Sequence, residues 1–290
     1  MITLSVWLDT PNTAIPNGRS ALIGGDLSVA IDLGLSTPAA HIERAERDCL
    51  ALAGDSLALH LGPAARVIEC GPFAGLALQH LLSALERPKA GIIMTSGSDP
   101  RQNGRRRKTL STAQITHIHH DASDPSWPLD AVGAGKTLIF VGGGGFGLTP
   151  PHRAFALLEN AAHTLNIGDF VGLTLETPRD GAVIDATYAD YGKHIVGAAL
   201  ASLGRAEAIE SRTFYDPITQ RVRFGGVALS EASIAWNGTR CSFNEGTWID
   251  VGAMTLHSAS AMLDLHPDFD IHDQWQSHDK VVTLLLLRKI

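Results

Sequence analysis

Val67-Ile68-Glu69-Cys70-Gly71-Pro72-Phe73-Ala74-Gly75 reads as a short apolar strand that ends in an acid and breaks into a glycine turn. The run behind it carries Leu76, Leu78, Leu81, Leu82 and Leu85 at helical spacing, so the unit is strand, turn, helix. Gly71 and Gly75 let the backbone turn sharply and lie close to a ligand with no Cβ in the way. The helix aims its free N–H groups at the same place, which is the layout of a nucleotide-type cofactor site. Any strand-turn-helix unit of an α/β protein has this layout too, so the rest of the chain has to choose between the readings.

Working outward, Gly91–Met94 is a second strand that runs into a basic stretch, Ile115–His119 a third that ends at His120-Asp121, and Leu138–Val141 a fourth. The fourth opens into Gly142-Gly143-Gly144-Gly145-Phe146-Gly147, then a helix begun by Thr149-Pro150 that turns Phe155, Leu158, Ala162 and Leu165 inward. Phe170–Leu175 is a fifth strand. Before all of these, Thr37-Pro38 supplies an N-cap and a first-turn proline to a helix whose inner face is Ile42, Ala45, Cys49 and Leu52, with Gly54 as its stop. Strands alternating with helices at this spacing predict an α/β fold with a doubly wound parallel sheet. The first ~35 residues, with Pro11, Pro16 and Gly24-Gly25, read as an irregular arm or lid.

The C-terminal part changes character. A helix from Thr187 to Ser202 precedes a hairpin of Arg212–Tyr215 and Arg221–Phe224 around the turn Asp216-Pro217-Ile218-Thr219. Ser233–Trp236 and Arg240–Phe243 are two further short strands, Thr255–Leu265 is a last helix, and Phe269–Trp275 with Lys280–Leu287 closes the chain as a strand pair. The expected organisation is an arm and cofactor-binding domain over 1–185, a substrate unit over 186–250, and a return to the sheet over 251–290.

With 290 residues and 44% hydrophobic content the chain can bury a full core. No window approaches the ~20 uninterrupted apolar residues of a membrane span, and Met1–Asp9 lacks the features of a signal peptide, so a cytoplasmic protein is expected. Cys49, Cys70 and Cys241 are few and far apart, which argues against a disulfide framework and a zinc site. A net charge of −7 disfavours nucleic acid as a partner. The basic run Arg101, Arg105, Arg106, Arg107, Lys108 is read as a solvated loop or as a patch for an acidic substrate or partner. His117 and His119 share a strand face while His120 points away, and no Cys or Glu joins them, so no metal is expected.

The spacing E-x-G-x-x-x-G over Glu69–Gly75 resembles that of class I S-adenosylmethionine-dependent methyltransferases, which end their sheet with one antiparallel strand. Several phrases narrow the resemblance to the histidine Nα-methyltransferase family of ergothioneine biosynthesis. They are Leu35-Ser36-Thr37-Pro38, Ile68–Gly75, Phe140-Val141-Gly142, Gly147-Leu148-Thr149-Pro150, Ile167-Gly168-Asp169, Ala186-Thr187-Tyr188-Ala189-Asp190, Phe214-Tyr215 and Glu245–Ile249. The resemblance covers roughly residues 35 to 290 and implies a Rossmann-like methyltransferase sheet interrupted by a smaller α+β substrate unit.

It further implies S-adenosylmethionine as cofactor, held by Glu69, Gly71, Pro72 and Gly75 at the first strand and by Gly142 and Gly143 at the fourth. The ribose acid expected after the second strand is missing at Thr95-Ser96, and Asp99 is the substitute within reach. Asp121 stands where this class accepts the adenine amino group, unless it only caps the turn before Ser123-Asp124-Pro125. Tyr188, Asp190 and Tyr191, from the family's substrate-contacting segment, are the candidate catalytic residues, with helix packing and capping as the plain alternative. The family's own histidine contacts are replaced, a Tyr-Tyr-Pro phrase by Ser36-Thr37-Pro38, an asparagine by Gly147, and acidic and serine groups by residues near Gly252 and Met254. The expected activity is therefore methyl transfer to a small polar metabolite, an amino acid or amine other than histidine, with the oligomeric state left open. Three alternatives stay in view: intramolecular cyclisation of the cofactor's aminobutyrate arm, a non-catalytic cofactor-binding module, and a nicotinamide-dependent oxidoreductase. The last is suggested by Gly142-x-Gly144-x-x-Gly147, although that phrase follows the fourth strand and no acid ends a strand ~20 residues on.

Overall fold

The computed structural model describes residues 4–9, 19–23, 40–71, 73–75, 77–84, 90–95, 115–127, 135–149, 151–202, 209–236, 239–257 and 266–290. The chain divides into two compact units, Ser36–Pro178 with His257–Ile290 and Met1–Leu35 with Arg179–Leu256. Pro72, Leu76, Leu85, Asp99, the basic run 101–108, Thr37-Pro38, Pro150 and the body of the helix expected up to Leu265 lie outside the described residues.

The larger unit is built on a seven-stranded sheet. Its parallel strands are β3 (Arg66–Cys70), β4 (Ala90–Thr95), β5 (Ile115–His119), β6 (Thr137–Val141) and β7 (Phe170–Glu176), and β13 (Phe269–Gln276) and β14 (Val282–Lys289) complete it in the order β13-β14-β7-β6-β3-β4-β5. β14 runs antiparallel to β7 and β13 antiparallel to β14, as expected for the closing strand pair. Every residue of β6 and β7 is buried, the signature of parallel strands covered on both faces.

Helix α1 (Ala40–Leu61) buries Ile42, Ala45 and Cys49 as the spacing predicts, but Gly54 does not stop it. Past Gly54 the same face continues into Leu57 and Leu61, whose burial outweighs the ~1 kcal/mol that a helical glycine costs. The stop is Gly62, which takes a left-handed φ of 72° and returns its N–H to the Ala58 carbonyl at 3.0 Å. Leu52 is half exposed. Helix α2 (Leu78–Ala84) follows the first glycine turn, α3 (Gly145–Leu148) is a single turn after β6, and α4 (Pro151–Thr164) buries Ala154, Leu157, Leu158, Ala161 and Ala162. Phe155, expected inward, is half exposed because this apolar stripe lies one residue to its side.

The smaller unit holds a five-stranded sheet in the order β1-β2-β12-β9-β8, made of β1 (Leu4–Asp9), β2 (Arg19–Ile23), β8 (Ile209–Asp216), β9 (Arg221–Ala228) and β12 (Trp248–Thr255). β10 (Ala232–Trp236) and β11 (Thr239–Phe243) form a separate hairpin, and α5 (Gly181–Ser202) begins six residues before the predicted start at Thr187, capped by Asp180 through the N–H groups of Ala182 and Val183. Of the leading residues, expected to form an irregular arm or lid, the described ones are strands. β1 precedes Pro11 and β2 lies between Gly18 and Gly24, and β2 pairs in parallel with β12 through Ser20 and Trp248, which supplies the backbone hydrogen bonds that β12 would otherwise lack on that edge. The unit boundaries fall at 35/36, 178/179 and 256/257, where 185/186 and 250/251 were expected with residues 1–35 in the cofactor-binding domain, and Thr255 ends a strand where a helix was predicted. Among the described residues no helix is long and apolar enough to cross a membrane.

Candidate functional site

The chain leaves β3, runs through β4 and β5 on one side, and returns to lay β6 on the other side of β3. The crevice between the carboxyl ends of β3 and β6 is therefore the topological switch point, where ligands of open α/β sheets bind. Two glycine turns meet there. Gly71 and Gly75 have φ of 100° and 98°, and Gly143 and Gly144 have φ of 66° and 69°, a backbone region that L side chains rarely enter. The turns are in contact, since a Cβ on Gly143 would stand 2.7 Å from the ring of Phe73 and one on Gly71 3.2 Å from Val141.

Glu69 is fully buried at the end of β3, and its oxygens accept the N–H of Ala77 at 3.0 Å and of Leu78 at 2.7 Å. It thus ties the strand end to the first turn of α2. Burial, with a further push from Glu46, raises its carboxyl to about 7 against the bonds from those amides. Glu46 of α1 was not anticipated. It is buried beneath the second glycine turn, where Oε2 accepts the Gly143 N–H and the Thr174 hydroxyl at 2.6 Å, while Thr174 Oγ1 accepts the Gly144 N–H at 3.3 Å. Burial raises the Glu46 carboxyl as well. Glu176, at the end of β7, is buried and lies 3.5 Å from His41 of α1. A signal for Glu46 was present in the sequence: it sits four residues after Ile42 and three before Cys49, a charged residue inside the apolar stripe.

Of the other cofactor residues, Gly142 and Gly143 are buried at the end of β6, and a Cβ on Gly142 would come 2.9 Å from Phe140. Asp121 follows β5, where its Oδ1 accepts the N–H and hydroxyl of Ser123 at 2.9 and 2.7 Å and its Oδ2 pairs with Arg153. The capping role weighed for it is present in this geometry. Gly142-x-Gly144-x-x-Gly147 overlaps the four residues of α3, and the Gly143 N–H is committed to Glu46.

In the smaller unit Tyr188, Asp190 and Tyr191 fall on α5, and 100° per residue separates them. Tyr188 is buried, donates to the Met254 sulfur at 3.6 Å, and packs with Tyr191 and Phe224 at ring distances of 6.0 and 5.9 Å, while the Tyr191 and Phe224 rings lie 6.4 Å apart. Burial pushes the Tyr191 phenol above its usual range. Asp190 is on the other side of the helix, its side chain 93% exposed and 3.5 Å from Lys193. The structure brings the two phenols together and leaves the carboxylate apart. A cavity of about 310 Å³ in this unit is lined by Ala189 and Lys193 of α5 and by Arg212, Thr213, Phe214 and Trp248 of the sheet. Phe214 and Trp248 meet edge to face at 5.1 Å. Beside them Arg223 forms an ion pair with the buried Asp250.

No family model matches the chain, and neither does any curated protein. Among solved structures, the CcbJ methyltransferase from Streptomyces caelestis is similar with a TM-score of 0.45 and 12% identity, over 82% of this chain and 95% of that one. CalS10 with bound S-adenosylmethionine, an amino pentose methyltransferase from Micromonospora echinaspora involved in calicheamicin biosynthesis, gives 0.46 and 12% over 87% and 95%. The PH0226 protein from Pyrococcus horikoshii OT3 gives 0.49 and 8% over 83% and 90%.

Proposed function

We propose that the protein is an S-adenosylmethionine-dependent methyltransferase acting on a small polar metabolite, an amino acid or amine other than histidine. The observation that carries this reading is the pair of glycine turns at the β3/β6 switch point, in a sheet whose strand β14 enters antiparallel between β7 and β13. The chemistry around the turns supports a cationic ligand over a dinucleotide. Glu46, Glu69 and Glu176 are buried at or beside these strand ends, an environment that repels a pyrophosphate and suits a sulfonium with an ammonium group. Gly147 of the phrase Gly142-x-Gly144-x-x-Gly147 lies inside α3, which is one turn long and gives a pyrophosphate little N-terminal dipole to bind.

In this reading Gly71, Gly75, Gly142 and Gly143 line the cofactor, Pro72 and Asp99 are further residues that bind it, and Glu69 acts by fixing the first turn. Asp121 remains the adenine acceptor, oriented by Arg153 and Ser123. S-adenosylmethionine supplies an activated methyl group on sulfur, so the protein's own task is to hold a neutral nucleophile in line and exclude water. Tyr188, Asp190 and Tyr191 are the substrate-side residues. Support for Tyr188 comes from its contact with Met254, near which the resembled family contacts substrate; the α5 residues that line the cavity of this unit are Ala189 and Lys193. The replacements at Ser36, Gly147, Gly252 and Met254 argue against histidine.

Calorimetric titration with S-adenosylmethionine, S-adenosylhomocysteine and NAD tests the reading. Binding of the first two and not of NAD is expected. Heat with NAD alone would replace it with the oxidoreductase. Tight cofactor binding with no methylated product across a screen of amino acids and amines would favour cyclisation, if the cofactor is consumed, or the non-catalytic module, if it is not.

A further inference from the structure

We propose that Glu46 sets the negative charge of the site against the sulfonium, so that the protein distinguishes S-adenosylmethionine from the uncharged thioether S-adenosylhomocysteine. This rests on the cofactor reading above and assigns to α1 a residue of the site that the glycine turns alone do not reveal.

Three observations point to it. Glu46 is buried, and among the described residues no lysine, arginine or histidine forms an ion pair with it. Its carboxylate lies against the backbone that leaves β6 at the switch point: a Cβ on Gly142 would stand 3.1 Å from Oε2 and 3.3 Å from Oε1. Its hydrogen bonds from Gly143 and Thr174 both fall on Oε2, so Oε1 faces the glycine turn without them. Glu69 differs on this last point, since each of its oxygens holds an amide of the turn before α2. A buried carboxylate with no cation beside it costs several kcal/mol. Placed where a cation binds, the same charge becomes affinity, and a fixed dipole or charge in a dry site acts strongly because it needs no reorganisation.

Glu46→Gln keeps the shape and an acceptor for Gly143 and Thr174 while removing the charge. Calorimetry on the wild type and this variant, with both ligands, separates a charge role from a structural one. The affinity of E46Q for S-adenosylmethionine is expected to fall about tenfold or more, while that for S-adenosylhomocysteine changes less than about threefold. An equal loss for both ligands means that Glu46 only shapes the turn, and no loss means that it is neutral in the wild type; either result overturns the proposal. If the wild type itself binds neither ligand, the cofactor reading fails first. Should circular dichroism show that E46Q does not fold, Thr174→Val takes its place, because it withdraws a hydroxyl that stabilises the carboxylate. The ratio of the two affinities should then move in the same direction by about twofold to threefold, and an unchanged ratio overturns the proposal.

Discussion

In the larger unit the buried carboxylates Glu46 and Glu69 are held by N–H and O–H groups, whereas in the smaller unit the buried carboxylate Asp250 is held by the guanidinium of Arg223. The two arrangements leave different things to do. Burial pushes the carboxyls of all three upward, so the difference lies in the partner: a carboxylate satisfied by neutral donors has no cation beside it to answer its charge when it is ionised. One paired with arginine has its charge answered within the sheet. In the proposed reading the contrast separates a site from a staple: Glu46 meets the cationic cofactor, whereas the Arg223–Asp250 pair holds β9 to β12.

The largest effect that would test this contrast is on the staple. Arg223→Ala leaves Asp250 charged and buried with its cation gone, and is expected to cost about 3–5 kcal/mol in a chemical denaturation experiment. The double variant with Asp250→Ala should recover part of that loss. A cost under ~1 kcal/mol would show that the pair is as dispensable as a surface one.

The second test is on the site side and uses pH. The Glu69 carboxyl titrates at about 7 in the folded protein and near 4.5 when unfolded, so between these values the folded state binds the extra proton. The cost of its charge is fully present above pH 7, shrinks as the pH falls, and is gone below 4.5. Stability should therefore rise on acidification across this window, by on the order of 3 kcal/mol from this group. Comparing wild type with Glu69→Gln in urea melts from pH 8 to pH 5 isolates it, since the variant should lack that part of the slope. Parallel curves would mean that Glu69 is not perturbed, and the contrast between the two units would lose one of its members.

The smallest effect is expected at Asp190, the exposed carboxylate of the smaller unit. Asp190→Asn should change stability by less than ~0.5 kcal/mol and leave cofactor affinity unchanged. In the proposed reaction it lowers turnover by removing the charge that meets the substrate. Turnover equal to wild type on the true substrate would remove Asp190 from the site, and a parallel fall in cofactor affinity would put this segment on the cofactor side.

The larger unit was legible because its signals are local. An apolar run, a glycine turn and a leucine-rich helix lie within some twenty residues of one another, and β3 to β7 appear within one or two residues of their expected ends. The smaller unit was legible in its two hairpins and in most of α5, and not in its leading strands. β1 and β2 are short strands set among prolines and glycines, and β2 pairs with β12 more than two hundred residues away, a partnership that no local pattern announces. Glu46 escaped for a related reason. Its hydrogen-bond partners Gly143 and Thr174 are 97 and 128 positions on, and a glutamate in an apolar helix stripe looks like an imperfection until they arrive.

By itself the sequence determined the alternation of strand and helix, the glycine turns and the closing strand pair, because periodicity and φ freedom are properties of neighbouring residues. Tertiary structure alone decided which acids face which groups: that Glu69 caps a turn, that Glu46 lies under Gly142, that Asp250 answers Arg223, and that Tyr188 and Asp190 point apart. The reason is physical. Whether a carboxylate is a cap, a charge or a staple depends on the donors and the solvent around it, and packing brings those from distant parts of the chain.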